Sequence, residues 1–494
     1  MTDLDDAHEL RMESARGRVA LVATVAASGM ASFDATVVNV ALPHIGEDFD
    51  VGVDALQWVL TGYLLALASL ILLGGALGDR YGRRRIFVVG TVWFAVASLL
   101  CGAAPNADVL VAARVVQGVG AALLTPGSLA ILQASFRAAD RSRAVGAWSG
   151  LGGVAGAIGP FVGGWIVDGP GWRWAFLINV PIAAVAIVCA FGAVPETRDG
   201  GPSHRLDVMG AALTVVTLGA ATWAVTSGST RGWTDPAVVT AAVVTALGTV
   251  AFVTRMLHVT DPLVPPELFR SRAFTVTNLA TVLLYAALGV SFFLVAYELQ
   301  VGAGWSALEA GGALVPATLL MLVGSARSGA LADRIGPRPQ LTVGPVLTAL
   351  GLLLLSRIDA SATWNDVLPG ALVFGLGLVT FVAPLTATVM GSVSAGYVSI
   401  GSGVNNAIAR TAGLAAVAVV PVVSGLTTAT GPAMVSASFR TAMVIAALVA
   451  AAAAPIAFFG LRPGAAVGRS PRHTFCSVDG PPLQPEPGAV GTPA

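Results

Sequence analysis

An all-α polytopic membrane protein is the fold class this sequence predicts, and three observations carry that prediction. Apolar residues make up 55% of the 494-residue chain and charged residues 11%, where a soluble domain carries roughly 25% charge; the mean hydropathy is +0.80. Apolar runs long enough to cross a bilayer recur along the whole chain. One short pattern occurs twice, as GALGDRYGRRR from Gly75 and GALADRIGPRP from Gly329, each time closing an apolar run and opening an arginine-rich connection.

The apolar runs lie near 19–42, 57–78, 86–104, 109–132, 142–167, 174–194, 208–226, 236–257, 274–298, 309–332, 340–357, 366–392, 399–427 and 439–461. Each is close to the ~20 residues a helix needs to cross ~30 Å of hydrocarbon. Helices are required, because an open sheet edge leaves backbone groups unsatisfied in lipid. Span 1, from Val19 to Pro43, is too long for the apolar core of a cleavable leader and contains Asp34, so it is expected to remain as a span.

Every one of the 27 basic residues is arginine, and their positions orient the spans. With the N-terminus inside, inner connections receive Arg11, Arg16, Arg18, Arg80, Arg83 to Arg85, Arg137, Arg141, Arg143, Arg198, Arg205, Arg255, Arg270, Arg272, Arg334, Arg338, Arg462, Arg469 and Arg472. Outer connections receive only Arg173, Arg231, Arg357 and Arg440. Cytoplasmic loops carry the basic excess, so both termini are expected in the cytoplasm and the span count is even. The first outer loop is acidic instead, with Glu47, Asp48, Asp50 and Asp54.

The repeat organises the chain, since duplicated halves are a recurrent plan of membrane transport folds. Residues 1–18 form an N-terminal tail, 19–194 a six-span half and 274–461 a second six-span half. Between them, 195–273 is a linker holding two extra spans (208–226 and 236–257) that enter and leave on the same side. Residues 462–494, polar and rich in Pro and Gly, are expected to be disordered.

Polar residues inside the spans need a reason. A carboxylate at the centre of a membrane helix costs about 2.5–3.5 kcal/mol on insertion scales. At 1.5 Å per residue, Asp34 lies roughly 22 Å beyond Val19, in the outer half of the core, and Arg114 of span 4 lies roughly 8 Å below the outer boundary. The matching depths predict that Asp34 and Arg114 interact, directly or through water, with Asp34 as the proton-titrating group; a static ion pair is the alternative. Arg410 falls roughly 16 Å into span 13, suited either to an anionic substrate group or to backbone carbonyls. Arg327, at the inner end of span 10, is expected to snorkel. Glu298 falls near the outer end of span 9, as a solvated end residue or a second proton site. Asn39, Gln117, Asn179, Asn278, Asn405 and Asn406 either line a cavity or bond between helices. Asp79, Arg80 and Arg83 end span 2 as a candidate inner gate or a topology signal, with Asp333 and Arg334 as the weaker counterpart. Gly156, Gly159, Pro160, Gly163 and Gly164 give span 5 a kink and a bare face.

Other chemistry lacks its residues. The five histidines (His8, His44, His204, His258 and His473) fall in expected loops or tails, so neither a metal nor a histidine base is expected within the membrane. Cys101, Cys189 and Cys476 have no disulfide or metal spacing. There is no GxxxxGK[ST] phosphate loop, so no cofactor and no ATP-driven step is expected.

The twice-occurring loop resembles the signature between spans 2 and 3 of the major facilitator superfamily. Arg114-Val-Val-Gln117-Gly118-Val-Gly120 resembles its fourth-span motif, and Gly156-Ala-Ile-Gly159-Pro160-Phe-Val-Gly163-Gly164 the fifth-span motif of its exporters. Three further segments resemble the 14-span drug/proton antiporter branch: Asp34-Ala-Thr36-Val-Val-Asn39-Val-Ala-Leu-Pro43, Trp172-Arg-Trp-Ala-Phe-Leu-Ile-Asn179-Val-Pro181, and Gly401-Ser-Gly-Val-Asn405-Asn406-Ala-Ile-Ala-Arg410. The chain departs from the pattern at Pro337 and Pro339, where the first loop has Arg83 and Arg85, at Glu298, and in span 2, which has no acid between Trp58 and Gly78.

The resemblance implies a major facilitator fold and a proton-coupled exporter of lipophilic or amphipathic small molecules, working by alternating access in a bacterial cell membrane. Its expected partners are a small-molecule substrate, protons and the lipid bilayer, with no nucleic acid, and it is expected to act as a monomer. Dedicated export of one endogenous metabolite, such as an antibiotic or siderophore, is the alternative, and a non-transporting membrane sensor a more distant one.

Overall fold

The computed structural model describes residues 10–198, 207–260, 262–393, 398–429 and 431–462. Each expected apolar run is helical, and thirteen of the described helices are long and apolar enough to cross a membrane. The helix Ala138–Asp168 stands in the place of span 5 and completes two six-helix halves around two extra central spans. The only β-type pairing among the described residues is an isolated bridge between Leu10 and Phe136.

Two spans are broken for readable reasons. Span 6 consists of Trp174–Leu177 and Asn179–Ala193; Pro181 has no N–H for the Leu177 carbonyl, so the first turn cannot run on into the second. Span 10 begins as the short helix Ala307–Gly312 and resumes at Val315–Ile335. Span 9, Arg272–Tyr297, ends in a π-turn over Glu298–Gly302.

Several expected boundaries shift. The first helix runs Ala15–Phe49, so His44 lies on it and not in a loop, with a buried Nδ1 that has no partner. His258 is likewise the last residue of the helix Pro236–His258. The segment before span 1 is docked: Leu10 N–H donates to the Ser135 carbonyl (2.7 Å), and Met12 N–H to Asp140 (3.1 Å). Cys476 and the expected disordered tail fall outside the described residues.

Spans 1 to 6 pack around spans 1 and 4, and spans 9 to 14 around spans 9 and 12. The halves meet along two seams, span 5 against span 10 and span 2 against span 13, with span 1 against span 9 between them. One large apolar core joins Val38, Val40, Ile45, Val59 and Phe176 of the first half to Leu284, Phe293, Leu299 and Phe374 of the second. The residues that join the halves lie toward the face opposite the arginine-rich loops. On the arginine-rich face the clusters stay within their own halves and touch mainly through Leu72 and Ala407. The halves are therefore closed away from the arginine-rich face.

The extra spans have unequal positions. Span 7, Val208–Arg231, packs on span 2, span 13 and span 8, and so lies across a seam. Span 8 packs on span 7 and presents Val239, Val243, Leu247, Val250 and Val253 outward. Asp207, at the N-cap of span 7, ties the pair together: it accepts from Gly210 N–H (2.8 Å) and binds Arg255 of span 8 (2.7 Å).

The repeated loop is anchored differently in the two halves. Gly82 has φ 116°, a conformation that L side chains rarely adopt. A Cβ there would meet Glu196 Oε1 at 2.6 Å, because Glu196 reaches in to accept from the N–H groups of Arg84 (3.1 Å) and Arg85 (3.2 Å) at the start of span 3. Arg84 also donates to the Val194 carbonyl (3.1 Å). The second loop has Gly336 at φ 81° and, among the described residues, no such acid; Arg338 donates to the Phe458 carbonyl (2.8 Å) and covers the Phe458 ring. Each loop is thus tied to the last span of its own half. Removing the cap with Glu196→Ala is expected to cost about 1 kcal/mol, read as a lower unfolding midpoint of the purified protein, with transport reduced but not lost.

Candidate functional site

The site is built by four helices of the first half. Asp34 on span 1 is fully buried, as are Ser98 on span 3, Arg114 and Gln117 on span 4, and Asn179 on span 6. Arg114 and Gln117 are three residues apart on one helix and so share a face. Asn179 stands at the break in span 6.

Arg114 Nη1 donates to Asp34 Oδ2 at 2.5 Å and to Gln117 Oε1 at 2.6 Å. Asp34 Oδ1 accepts from Gln117 Nε2 and from Asn179 Nδ2, both at 2.9 Å. Gln117 Nε2 also donates to Ser98 Oγ (2.9 Å), which donates to the Phe94 carbonyl (2.8 Å). Arg114 Nε holds the Val59 carbonyl of span 2 (3.1 Å). The guanidinium lies over the Tyr63 ring at 4.3 Å and faces Phe176 at 5.6 Å, a cation–π sandwich that replaces part of its lost hydration.

Two atoms remain unsatisfied, Arg114 Nη2 and Asn179 Oδ1. A buried pair is maintained only by good geometry and further hydrogen bonds, and these have been supplied to one side of each group. Adding a proton to Asp34 would remove the counter-charge of Arg114 while leaving it Gln117 and the Val59 carbonyl. The cluster is a buried, charged joint between spans 1, 4 and 6.

Span 5 connects this joint to the other half. A Cβ at Gly159 would strike Thr36 Oγ1, and one at Gly163 would meet Val37 Cα at 3.1 Å, so both glycines let span 5 lie directly on the Asp34 helix. The next glycine faces the second half. A Cβ at Gly164 would strike the Ala307 carbonyl and lie 2.5 Å from Leu308 Cα, and Gly311 meets the Pro160 carbonyl in the same way. Asp168, at the end of span 5, accepts from the N–H groups of Ala307 (3.1 Å) and Leu308 (2.8 Å), capping span 10 across the seam. Gly156 lies outside the residues whose surroundings are described.

The remaining candidates scatter. Gln117 and Asn179, expected either on a cavity wall or bonding between helices, are buried hydrogen-bond donors to Asp34. Asn39 donates to the Ala35 carbonyl of its own helix (3.0 Å). Asn405 bonds Asn278 and Thr281 of span 9, both at 2.9 Å, while Asn406 is exposed and Arg410 half-buried. Arg410 lies within electrostatic reach of Tyr63 and Tyr285, on either side of the seam. Asp79 pairs with Arg83 (2.8 Å) within its own loop; Arg80 lies over Tyr81. Arg327 and Arg334 are exposed, and the Asp333 side chain is outside the described set. Glu298 is not a solvated end residue: it is fully buried in the π-turn. Sequence reasoning overlooked Ser98, Tyr63, Asp168 and Glu196. The three-residue spacing of Gln117 from Arg114 was the one available sign that Gln117 belonged to the carboxylate.

Two helical halves around a buried charged joint, sealed on one face, define a membrane transport protein. The chain belongs to the Major Facilitator Superfamily, whose family model matches residues 24–418. It is similar to the methylenomycin A resistance protein of Bacillus subtilis (strain 168), at 36% identity over 66% of this chain and 70% of that protein. It is also similar to the tetracenomycin C resistance and export protein of Streptomyces glaucescens, at 32% identity over 81% and 75% of the two chains. In fold it matches a bacterial homologue of the human lysosomal transporter Spinster in an inward-facing, unoccupied conformation, with a TM-score of 0.62 and 17% identity over 91% of this chain and 97% of that one.

Proposed function

We propose that this protein is a proton-coupled antiporter that exports lipophilic or amphipathic small molecules of the antibiotic type, acting as a monomer in a bacterial plasma membrane. The arginine-rich face with both termini is cytoplasmic, as the charge asymmetry favours. The observation that carries the reading is the Asp34–Arg114 joint, fully buried and held by donors from two further positions, Gln117 and Asn179. Family membership and the named functions of the relatives support export.

In this reading, Asp34 takes a proton from the outer side and releases it to the cytoplasm, and the loss of its charge frees Arg114 from span 1. Substrate and proton compete through that rearrangement, because a ligand shifts an equilibrium only by binding its two states differently. Asp79, Arg80 and Arg83, with Asp333 and Arg334, act at the cytoplasmic gate, and Asn406 and Arg410 face the substrate path. A narrower reading, export of a single metabolite, is favoured by the two relatives named for single antibiotics.

The test is expression in a bacterial host stripped of its own efflux pumps. Inhibitory concentrations of several unrelated amphipathic compounds are expected to rise, and a protonophore is expected to remove the protection. Protection against one compound alone would favour the narrower reading; protection that survives collapse of the proton gradient would overturn antiport.

A further inference from the structure

Glu298 is a second buried carboxyl, and the Asp34 joint does not use it. It is fully buried. Its Oε1 accepts a short hydrogen bond from Ser436 Oγ on span 14, and its Oε2 has no partner. Among the described residues no arginine or histidine lies within ion-pair distance of it. Gly302, one π-turn on, makes the space: a Cβ there would meet the carboxyl, Oε2 at 2.7 Å. The carboxyl thus occupies a fitted cradle with one neutral donor and no counter-charge.

The cradle lies within the closure opposite the arginine-rich face. Two residues on, Gln300 Nε2 donates to the Val40 carbonyl of the first half (3.0 Å). Asp168 of the first half caps the helix at Ala307. Separating the halves on this face breaks both contacts and brings water to the π-turn. Burying an ionised carboxylate with no cation is costly enough that such a group takes up a proton or keeps its water.

We infer that Glu298 is an outer-facing proton-binding site that sets when the outer face can close. A hydronium ion from the outer side gives its proton to a Glu298 carboxylate oxygen, leaving water, and the neutral acid enters the cradle. When the face reopens the proton returns to the same side, so this site adds none to those exchanged for substrate. The inference rests on the outward placement of this face under the proposed function.

The other titratable and charged groups around the cradle do not supply a counter-charge. Tyr297 precedes Glu298 on span 9, and Asp359, on the loop after span 11, is within electrostatic reach and carries the same sign. Arg440, one turn beyond Ser436 on span 14, is exposed and acts on Asp359. Glu309 on the short helix of span 10 is engaged by Ser306 in its own capping box. On span 1 the nearest such group is His44, one turn beyond Val40.

The experiment measures the gap across the outer face by pulsed electron paramagnetic resonance. Spin labels are placed at Pro170→Cys and Ala360→Cys in nanodisc-reconstituted protein, with the native cysteines replaced by alanine, over a pH series. The unsubstituted Glu298 background is expected to open increasingly as pH rises. Glu298→Gln is expected to favour the closed state equally at every pH, losing the pH dependence and slowing turnover, while the proton-to-substrate ratio of the remaining transport in proteoliposomes stays unchanged. Ser436→Ala, which keeps the acid but removes its donor, is expected to retain the pH dependence with a displaced midpoint. An unchanged pH profile in Glu298→Gln overturns the inference. So does a reduced proton-to-substrate ratio, which makes the proton a transported one, or a selective loss of cationic substrates, which makes Glu298 a substrate counter-ion. Asp34→Asn separates the two readings: pH-dependent closure is expected to persist there while coupled transport is lost. Persistence of both would sink the antiport reading and leave this one standing.

Discussion

Asp34→Asn is expected to abolish proton-driven export while leaving the protein in the membrane. Asparagine matches the volume of aspartate but carries no charge, so Arg114 keeps a fully buried guanidinium without a counter-ion. One side of the new amide also bears hydrogens where Asp34 Oδ1 accepts from both Gln117 and Asn179 or where Oδ2 accepts from Arg114. Removing one partner of a buried pair costs about 3–5 kcal/mol, or roughly 10²–10⁴-fold if the loss appears in one step of the cycle. Active transport is therefore expected at background, with a lower unfolding midpoint in detergent. Arg114→Gln should be damaging too, because it leaves Asp34 charged among neutral donors. The double variant is expected to recover stability more than either single change predicts, since the two positions are in contact, yet to remain without coupled transport. Wild-type proton exchange in Asp34→Asn would refute the assignment.

Gly164→Leu is the second large effect, and it acts at the seam. A side chain at 164 runs into the backbone of Ala307 and Leu308, which cannot move aside as a flexible side chain can. The same helix start is held by Asp168 from the first half, so a wedge here forces spans 5 and 10 apart. Export is expected to fall to background, with the outer face held open and a cysteine placed on the early part of span 10 reacting faster with a membrane-impermeant thiol reagent. Gly159→Leu should also abolish transport, by another route, because its side chain pushes on Thr36 of the Asp34 helix. Gly192→Ala is the control: nothing lies within 4 Å of its added Cβ, and transport should be unchanged. Normal export by Gly164→Leu would show that the halves do not need this contact.

How much of this was legible in the sequence differs between fold and site. The fourteen spans and the duplicated plan were legible because lipid imposes a single coarse requirement, a run of apolar residues, and because the loops at Asp79 and Asp333 share seven of eleven residues. Asp34 and Arg114 were legible for the converse reason: a charge at that depth has few permitted partners, and depth follows from the helical rise. The roles of Gln117 and Asn179 were not, because an amide can line a cavity or bond a neighbour equally well and only helix rotation decides between them. For Glu298, distance from the span end left a solvated end residue and a proton site both open, and burial removes only the first. The π-turn and the bare Gly302 draw its carboxyl inward, and neither departure from regular helix has a clear sign in composition. Glu196 and Asp168 were missed because each caps a helix that is remote in sequence, and capping across loops or halves leaves no local pattern.

The two extra spans also gain a physical description. A pair entering and leaving on one side preserves the orientation of both halves, as counting alone indicates. Packing adds that span 7 covers the seam between spans 2 and 13, while span 8 touches little but span 7. The Asp207–Arg255 tie holds the pair together at the arginine-rich face.

Under the proposed function, Asp34 carries the exchanged proton and substrate displaces it. The most direct measurement is proton release on substrate addition, made with purified protein in weakly buffered detergent solution and a pH-indicator dye, using a compound to which expression confers resistance. Release on binding by the wild-type protein, absent in Asp34→Asn protein that still binds the compound, is the predicted result. Equal release from both proteins, or none from the wild type at any starting pH, would contradict it.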